Sequence, residues 1–281
     1  MKINQSIIEW ILSDLPSGIH GCYTGQSILG FCPNPTFSWE EIEQWDSKTD
    51  VDIFLYNVPS LISAISGMMS KGWKPDQDID EFKCDRIMHY DKRHKFKIQT
   101  VKLKAEEDYP SVNLTWKEGS EDQFNVIRAF DMDYLMVSYD LKNQTFLDLR
   151  GKKHRVANVN RYNPRFDPLD VEPSYWYRQF DRCPKGWSRG IDTRPVARQY
   201  RDWIKKTLEI GDRTLNSQTR HYADREMDDV IAPILETGLS RDQAVALYHM
   251  ARGERNTWEA ASIRHRAALQ NIEEWLKEVE D

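Results

Sequence analysis

The stretch that decides the fold of this chain reads Thr49-Asp50-Val51-Asp52-Ile53-Phe54-Leu55-Tyr56. Its β-branched and aromatic residues predict a strand over 51–56. Because side chains alternate between the two faces of a strand, Asp50 and Asp52 project from the same face, about 7 Å apart. Two carboxylates on an otherwise apolar strand repel each other and lose hydration. The pair therefore needs a compensating partner.

Two partners for the carboxylates are compatible with the segment alone. A divalent cation removes both penalties, and magnesium is commonly shared between one or two carboxylates and substrate phosphates. The structural alternative leaves Asp50 in solvent at the start of the strand and pairs Asp52 with a lysine. An Asp-x-Asp motif is short, so by itself it favours the structural alternative. The neighbouring segments must decide between the two.

The segment before this strand contains a turn that suits a phosphate group. A short strand over 19–23 leads into the turn 24–27, and a brief helix begins at Ile28. Glycine lets the main chain approach a ligand closely, and the free N–H groups at a helix start point towards an anion. Gly25 and Ser27 are therefore candidate phosphate-binding residues.

A second acidic segment follows later in the chain. It reads Val126-Ile127-Arg128-Ala129-Phe130-Asp131-Met132-Asp133 and leads into a predicted strand over 134–139. Asp131 and Asp133 share one strand face if the strand begins early. Either residue is a candidate third carboxylate, and we favour Asp131 because it directly follows Phe130.

Together the three segments resemble the DNA polymerase beta-like nucleotidyltransferase superfamily. In that superfamily a Gly-Gly or Gly-Ser turn precedes an Asp-x-Asp strand, and a later strand supplies a third carboxylate. The Phe-Asp-x-Asp segment is similar to that of divergent nucleotidyltransferase-like proteins of viruses and phages. The resemblance covers roughly residues 5–150. The turn departs from the pattern because Gln26 follows Gly25, which puts phosphate contact at the turn in question.

The resemblance implies magnesium-dependent transfer of a nucleoside monophosphate from a nucleoside triphosphate, ATP among them, to a hydroxyl group. The acceptor would be an RNA end, a protein or a small molecule. Asp50 and Asp52 would hold Mg²⁺, and Asp131 or Asp133 would hold a second metal or take the proton of the hydroxyl. One alternative is a catalytically inactive relative of phage origin that binds a nucleotide or a host protein. Another is an interaction protein that docks through its C-terminal helices.

The pattern along the chain predicts an α+β fold, with a mixed or antiparallel sheet, flanking helices and a C-terminal helical region. We expect a nucleotidyltransferase-like core over 1–150, a basic extension over 151–213 that is loop-rich and then helical, and a helical region over 214–281. A strand over 94–104 loses its alternation near Thr100, which predicts a bulge. Other predicted elements include helices over 4–15, 59–69, 196–208 and 257–279, and a hairpin over 134–139 and 145–149.

Positive charge is concentrated in the extension. Residues 150–213 contain 16 Lys or Arg against 8 Asp or Glu, whereas the whole chain has a net charge of −6. Such asymmetry predicts contact with an anionic partner; the alternative is a basic surface that balances acidic neighbours. Lys153 and Arg178 are candidates for binding the triphosphate or an RNA end. Candidates for base stacking are Tyr175, Trp176 and Tyr177. Further candidate cations are Lys152, Arg155, Arg161 and Arg165.

Composition excludes several other classes of protein. The four cysteines form no Cys-x-x-Cys pair and the seven histidines show no metal-binding spacing, so neither a disulfide framework nor a zinc site is expected. No apolar run approaches the ~18 residues that span a bilayer, so no membrane partner is expected. The first residues lack the pattern of a secretion signal. We therefore expect a cytoplasmic protein, in the host cytoplasm if it is viral.

Overall fold

The computed structural model describes residues 3–45, 49–75, 88–91, 96–105, 109–151, 153–160, 180–211, 232, 235–236, 241 and 255–280. The chain divides into two compact units, which are described separately. The N-terminal unit comprises Met1–Arg155 and Asn160–Arg165, and the C-terminal unit comprises Val156–Val159 and Phe166–Asp281.

One mixed β-sheet organises the N-terminal unit. Within the described ranges its strands follow the order β3-β5-β6-β2-β1-β7-β8, and β4 also pairs with β5. Strands β2 and β6 are parallel, and every other neighbouring pair is antiparallel. The strands are β1 (Gly21–Thr24), β2 (Val51–Leu55), β3 (Lys74–Pro75), β4 (Met88–Asp91), β5 (Phe96–Lys104), β6 (Val112–Lys117), β7 (Val137–Asp140) and β8 (Phe146–Asp148). The α+β class predicted from the sequence is confirmed.

Helices of this unit begin where side chains can satisfy their first N–H groups. Asn4, Asn57 and Asp122 each accept a hydrogen bond from an N–H of the first turn that follows. Ser38 and Glu41 form a reciprocal capping box. The helices are α1 (Gln5–Asp14), α2 (Ile28–Phe31), α3 (Trp39–Ile42), α4 (Val58–Ser70) and α5 (Gln123–Ile127).

The two faces of strand β2 differ sharply. Val51, Ile53 and Leu55 are fully buried, and helix α4 packs against β2 and β6. The residues between them are half-buried, and Phe54 packs against a cluster formed by Cys22, Val126, Ile127 and Met136. Asp52 shares the face of Phe54 because both have even positions on the strand. We call this side of the sheet the carboxylate face.

Two predictions of local structure are wrong. Strands β5 and β6 pair residue for residue from Ile98 to Leu103, so there is no bulge at Thr100. The alternation only seems broken because Gln99, a polar residue, is buried on the same face as Val101 and Leu103. In addition, residues 133–135 form a 3₁₀ turn, so strand β7 begins only at Val137 and neither Asp131 nor Asp133 lies on it.

The C-terminal unit consists mainly of helices in the part that the structure describes. Helices α6 (Arg182–Ser188), α7 (Arg194–Gly211) and α8 (Arg255–Glu280) are its long elements. Arg198 pairs with Glu280 and Lys205 with Glu273, so α7 and α8 run antiparallel. Tyr200, Ile204, Ala268 and Ile272 are buried residues of these two helices. No helix in the described residues combines the length and the apolar character needed to cross a membrane.

Candidate functional site

The strand register places four polar residues in one line across the carboxylate face. Thr24 of β1 lies opposite Asp52 of β2, Asp52 lies opposite Asn113 of β6, and Asn113 lies opposite Lys102 of β5. Residues directly opposite each other on neighbouring strands share a face of the sheet. We call Thr24, Asp52, Asn113 and Lys102 the polar row.

The amide of Asn113 joins the two predicted metal ligands. Its Nδ2 atom donates to Asp52 Oδ1 at 3.0 Å and to Asp50 Oδ2 at 3.3 Å. This nitrogen carries two hydrogens, so the half-buried carboxylates of Asp50 and Asp52 can both accept from it. It also offsets part of their mutual repulsion, because hydrogen bonds to charged acceptors are strong. The amide of Asn113 therefore holds the two aspartate side chains next to each other.

Lys102 supplies a positive charge at the end of the polar row. Its Nζ atom lies 3.5 Å from Asp50 Oδ1, and the two side chains are 41% and 30% exposed. The structural alternative drawn from the sequence left Asp50 in solvent and paired Asp52 with a lysine. In the structure Lys102 contacts Asp50, and Asp52 accepts a hydrogen bond from the amide of Asn113. The carboxylates thus have protein partners in the free chain, and the three charges of this group sum to −1.

The turn that contains Gly25 lies directly against Asp52. Gly25 has a φ of +84°, and a β-carbon at this position would collide with the carboxylate of Asp52. Glycine is required here for both reasons, because other residues strain at positive φ and none could approach so closely. The next residue, Gln26, donates from Nε2 to the hydroxyl of Tyr134 at 3.1 Å, which anchors the turn. Two predicted site residues, Gly25 and Asp52, are thereby in contact.

Ser27 occupies the residue before helix α2. Its side chain is fully buried and makes no capping hydrogen bond to the helix. Gly25 and Gln26 are partly exposed, so a phosphate above the turn would meet these two residues before it met Ser27.

Asp131 lies in a loop that Asn160 holds in place. The main-chain N–H of Asn160 donates to Asp131 O at 2.9 Å, and its Nδ2 atom donates to Arg128 O at 3.1 Å and to Phe130 O at 2.9 Å. Asn160 is almost fully buried, as is Asp131, whereas Asp133 is half-buried at the start of the 3₁₀ turn. Asn160 therefore fixes the loop that presents the predicted third carboxylate.

The expected meeting of three acids is not found. Among the residues that the structure describes, no group of three or more His, Cys, Asp or Glu side chains is placed to hold a metal ion. The segment that contains Asp131 and Asp133 turns at 133–135, before the strand that pairs with β1 begins at Val137. The later strand that does lie beside Asp52 is β6, and at this position it presents Asn113, an amide.

The basic extension is largely engaged with acidic residues where the structure describes it. Arg150 is buried and makes two hydrogen bonds to Asp148, and Arg155 contacts Glu41 with two further bonds. Other pairs are Arg194–Asp192, Arg198–Glu280, Arg201–Asp202 and Lys205–Glu273. These pairs fit the alternative of a basic surface that balances acidic neighbours.

The predicted ligands within the extension have different outcomes. Lys153 is exposed, in the segment that follows strand β8. Arg178 lies outside the described residues, and so do the neighbouring aromatic residues and three of the further candidate cations. These are Tyr175, Trp176, Tyr177, Lys152, Arg161 and Arg165.

The thiol of Cys22 is not placed to act as a nucleophile. Burial raises the pKa of the Cys22 thiol to about 12, and only a thiolate is a competent nucleophile. Its neighbour Tyr56 donates to Asp140 Oδ2 at 3.0 Å, while Asp140 Oδ1 accepts from the N–H groups of Lys142 and Asn143. This cluster fixes the turn between β7 and β8.

Comparison with known proteins gives little. No protein family matches the sequence, and no curated protein matches it. Among solved structures, a chain described as "tRNA-processing enzyme (apo form I)" is similar over 94% of this chain and 79% of that chain, with a TM-score of 0.40 and 10% sequence identity. A likeness this distant says nothing about the reaction that this chain performs.

Proposed function

We propose that this chain is a magnesium-dependent nucleotidyltransferase of the DNA polymerase beta-like type, which transfers a nucleoside monophosphate from a nucleoside triphosphate to a hydroxyl acceptor. The observation that supports it most is the pair of carboxylates, Asp50 and Asp52, bridged by the single amide of Asn113 and covered by the Gly25 turn.

The residues present suit a hard cation. Oxygens of Asp50 and Asp52 lie within hydrogen-bond distance of the same nitrogen atom, so both can contribute to one coordination shell. Magnesium takes one or two protein carboxylates and completes its shell with water and substrate phosphates. When bound, it would neutralise negative charge on the triphosphate and on the leaving pyrophosphate. Asp131 stays the proposed third carboxylate, with Asp133 as its alternative.

The residues of the chain contribute mainly positioning, as is usual in phosphoryl transfer. Asp50 and Asp52 would hold the cation that the triphosphate contacts, Asn113 keeps the two carboxylates together, and the main chain of the turn at Gly25 contacts the phosphates beside Ser27. The hydroxyl oxygen of the acceptor attacks the α-phosphorus, the bond between the α-phosphorus and the bridging oxygen breaks, and pyrophosphate leaves. Asp131, or Asp133 in its place, takes the proton of the hydroxyl.

For the acceptor we propose an RNA end or a protein that meets the basic extension, with Lys153 and Arg178 as contacts. The local excess of 8 positive charges over residues 150–213 supports this, and long-range attraction between such a region and a polyanion is screened by salt. We place the reaction in the cytoplasm, a proposal supported by the free thiols of Cys22, Cys32 and Cys183.

A second candidate function is nucleotide binding without transfer. It is favoured by the lack of a three-acid group among the described residues and by the amide of Asn113 beside Asp52. In that case the carboxylate pair binds a metal–nucleotide complex, and the ligand serves as a signal or a structural element.

One experiment separates the two candidates. Thermal unfolding is measured with ATP, CTP, GTP and UTP, with and without Mg²⁺, for the wild type, for Asp52→Asn and for the control Asp202→Asn, and pyrophosphate release is assayed in parallel with short RNA as acceptor. Magnesium-dependent stabilisation that Asp52→Asn alone abolishes, together with pyrophosphate release, supports the transferase. The same stabilisation without release supports the binding protein. No stabilisation by any nucleotide refutes both.

A further inference from the structure

The Lys102 side chain has no role in the function proposed so far, although it ends the polar row. Its ammonium lies 3.5 Å from Asp50, and its position lies directly opposite Asn113. It therefore stands beside the oxygens that would contact a divalent cation.

We infer that Lys102 is an exchangeable counter-ion: it neutralises Asp50 in the free chain, leaves this carboxylate when the metal binds, and then contacts the phosphates of the nucleotide. This inference rests on the proposed function, because it assumes that the carboxylate pair binds a metal–nucleotide complex.

The first part of the inference follows from charge. An ammonium and a divalent cation repel each other strongly at the distance of an ion pair, and both are attracted to the carboxylate of Asp50. Metal without nucleotide must therefore compete with Lys102 for Asp50. When a triphosphate is present, its oxygens supply the negative charge that allows both cations to stay in the site.

The second part follows from the reach of the side chain. At 3.5 Å the pair is longer than a strong charge-assisted hydrogen bond, and 41% of the Lys102 side chain is exposed. A lysine ammonium on a flexible four-carbon stem can leave such a pair at small cost. It also binds phosphate as a point charge, without the fixed geometry that arginine requires.

Lys102 differs from the described arginines of the basic extension by its place in the strand register. Arg155, Arg194, Arg198 and Arg201 pair with carboxylates, and Arg150 is buried against Asp148. Lys102 is instead in register with the carboxylate pair itself.

The test is a pair of binding measurements whose expected changes have opposite signs. Binding of Mn²⁺ alone is followed by electron paramagnetic resonance, and binding of α,β-methylene ATP in excess Mg²⁺ by equilibrium dialysis. For Lys102→Met we expect Mn²⁺ to bind about five-fold more tightly, because its competitor is removed. We expect the nucleotide analogue to bind about ten-fold more weakly, because a charged phosphate contact is lost. Lys102→Arg should recover most of the nucleotide affinity.

A matched control is available in Lys71. It pairs with Asp14 at the same distance of 3.5 Å and has a side chain 45% exposed, so Lys71→Met should change neither measurement. If the wild type binds both ligands and Lys102→Met binds them equally well, or shifts both in one direction, the inference about Lys102 is wrong and the proposed function stands. If the wild type binds neither ligand, the proposed function is wrong and this inference falls with it.

Discussion

Replacement of Asn113 by aspartate is the perturbation whose effect can be worked out most fully. The native amide donates to Asp50 and Asp52 at 3.3 and 3.0 Å. Aspartate has nearly the same size, but at neutral pH it donates no hydrogen bond and adds a negative charge. The variant Asn113→Asp therefore places three carboxylates at one point of the carboxylate face.

The expected loss has two parts. Hydrogen bonds to charged acceptors contribute roughly 1.5–3 kcal/mol each, and because these are half-buried and one is long, we take about 2 kcal/mol for both. Like charges about 4 Å apart repel by roughly 4 kcal/mol at an effective dielectric constant of 20, which solvent and the Lys102 ammonium reduce to about 1–2 kcal/mol. The free energy of unfolding without metal should thus fall by about 3–4 kcal/mol.

Magnesium should reverse most of this loss. A ligand that binds only the folded state stabilises it by about 2.7 kcal/mol at a hundred times its dissociation constant, and three carboxylates bind a divalent cation more strongly than two. The assay is urea unfolding at neutral pH with Mg²⁺ or with a chelator. Asn113→Leu is the control that removes the bonds without adding charge, so it should lose about 2 kcal/mol and gain less from Mg²⁺ than Asn113→Asp does, because it keeps only the two native carboxylates.

A second control uses Asn125, whose exposed amide donates to the single carboxylate of Asp122 at 2.9 Å. Asn125→Asp should change stability by less than about 1 kcal/mol, with no dependence on Mg²⁺. The reasoning is refuted if Asn113→Asp unfolds like the wild type in chelator, or if Mg²⁺ does not restore its stability.

Three further outcomes are expected. Gly25→Ala should lower the free energy of unfolding by about 2–3 kcal/mol and weaken nucleotide binding. The control Gly18→Ala should lower it by only about 1 kcal/mol, because Gly18 has a similar φ of +77° but open space around it. Equal losses in urea unfolding would contradict the close approach of Gly25 to the carboxylate. Asn160→Ala should cost about 2–3 kcal/mol in the same assay and speed amide exchange in the loop that it holds, and unchanged exchange would show that the loop needs no support. Burial alone would raise the pKa of Asp148, but hydrogen bonds from Arg150 outweigh it and hold this pKa below its usual value of 3.8. The stabilisation from these bonds should therefore be complete above pH 3.8 and be lost as pH falls through the lower pKa of the folded state. Asp148→Asn should make the free energy of unfolding less dependent on pH in acid, and an unchanged dependence would contradict the pairing.

Much of the local structure could be predicted because its determinants lie close together in sequence. Asn4 caps helix α1, Ser38 and Glu41 form the box that begins α3, and Pro59 lies in the first turn of α4. The β-branched and aromatic residues around Asp52 predict strand β2 over 51–56, and the structure ends it one residue earlier, at Leu55. Such signals act within one turn or one strand, so a single sequence contains them completely.

The partners of the carboxylates could not be predicted because they depend on which strands become neighbours. The parallel pairing of β2 with β6 brings Asn113 to Asp52, and the antiparallel pairing of β6 with β5 adds Lys102. The sequence signal was Asn113 itself, a polar residue between the apolar Val112 and Leu114. The role of Asn160 could not be predicted either, because the loop that it supports lies some thirty positions earlier in the chain.

The Phe-Asp-x-Asp motif gave a wrong start for strand β7. The Phe-Asp-x-Asp segment suggested an early strand with Asp131 on its face, but a 3₁₀ turn at Asp133–Leu135 intervenes. Whether Asp131 serves as a ligand stays a prediction, as do the roles of Lys153 and of Arg178, which is outside the described residues.

The central claim is that Asp50 and Asp52 jointly bind a metal–nucleotide complex. Isothermal titration calorimetry with α,β-methylene ATP in excess Mg²⁺ tests it most directly, with the wild type and Asp52→Asn compared at equal concentration. We predict saturable heat with one nucleotide bound per wild-type chain, and a loss of at least about 2 kcal/mol in binding free energy for the variant. Equal affinity in the two proteins, or binding that chelation of Mg²⁺ leaves unchanged, would contradict the account.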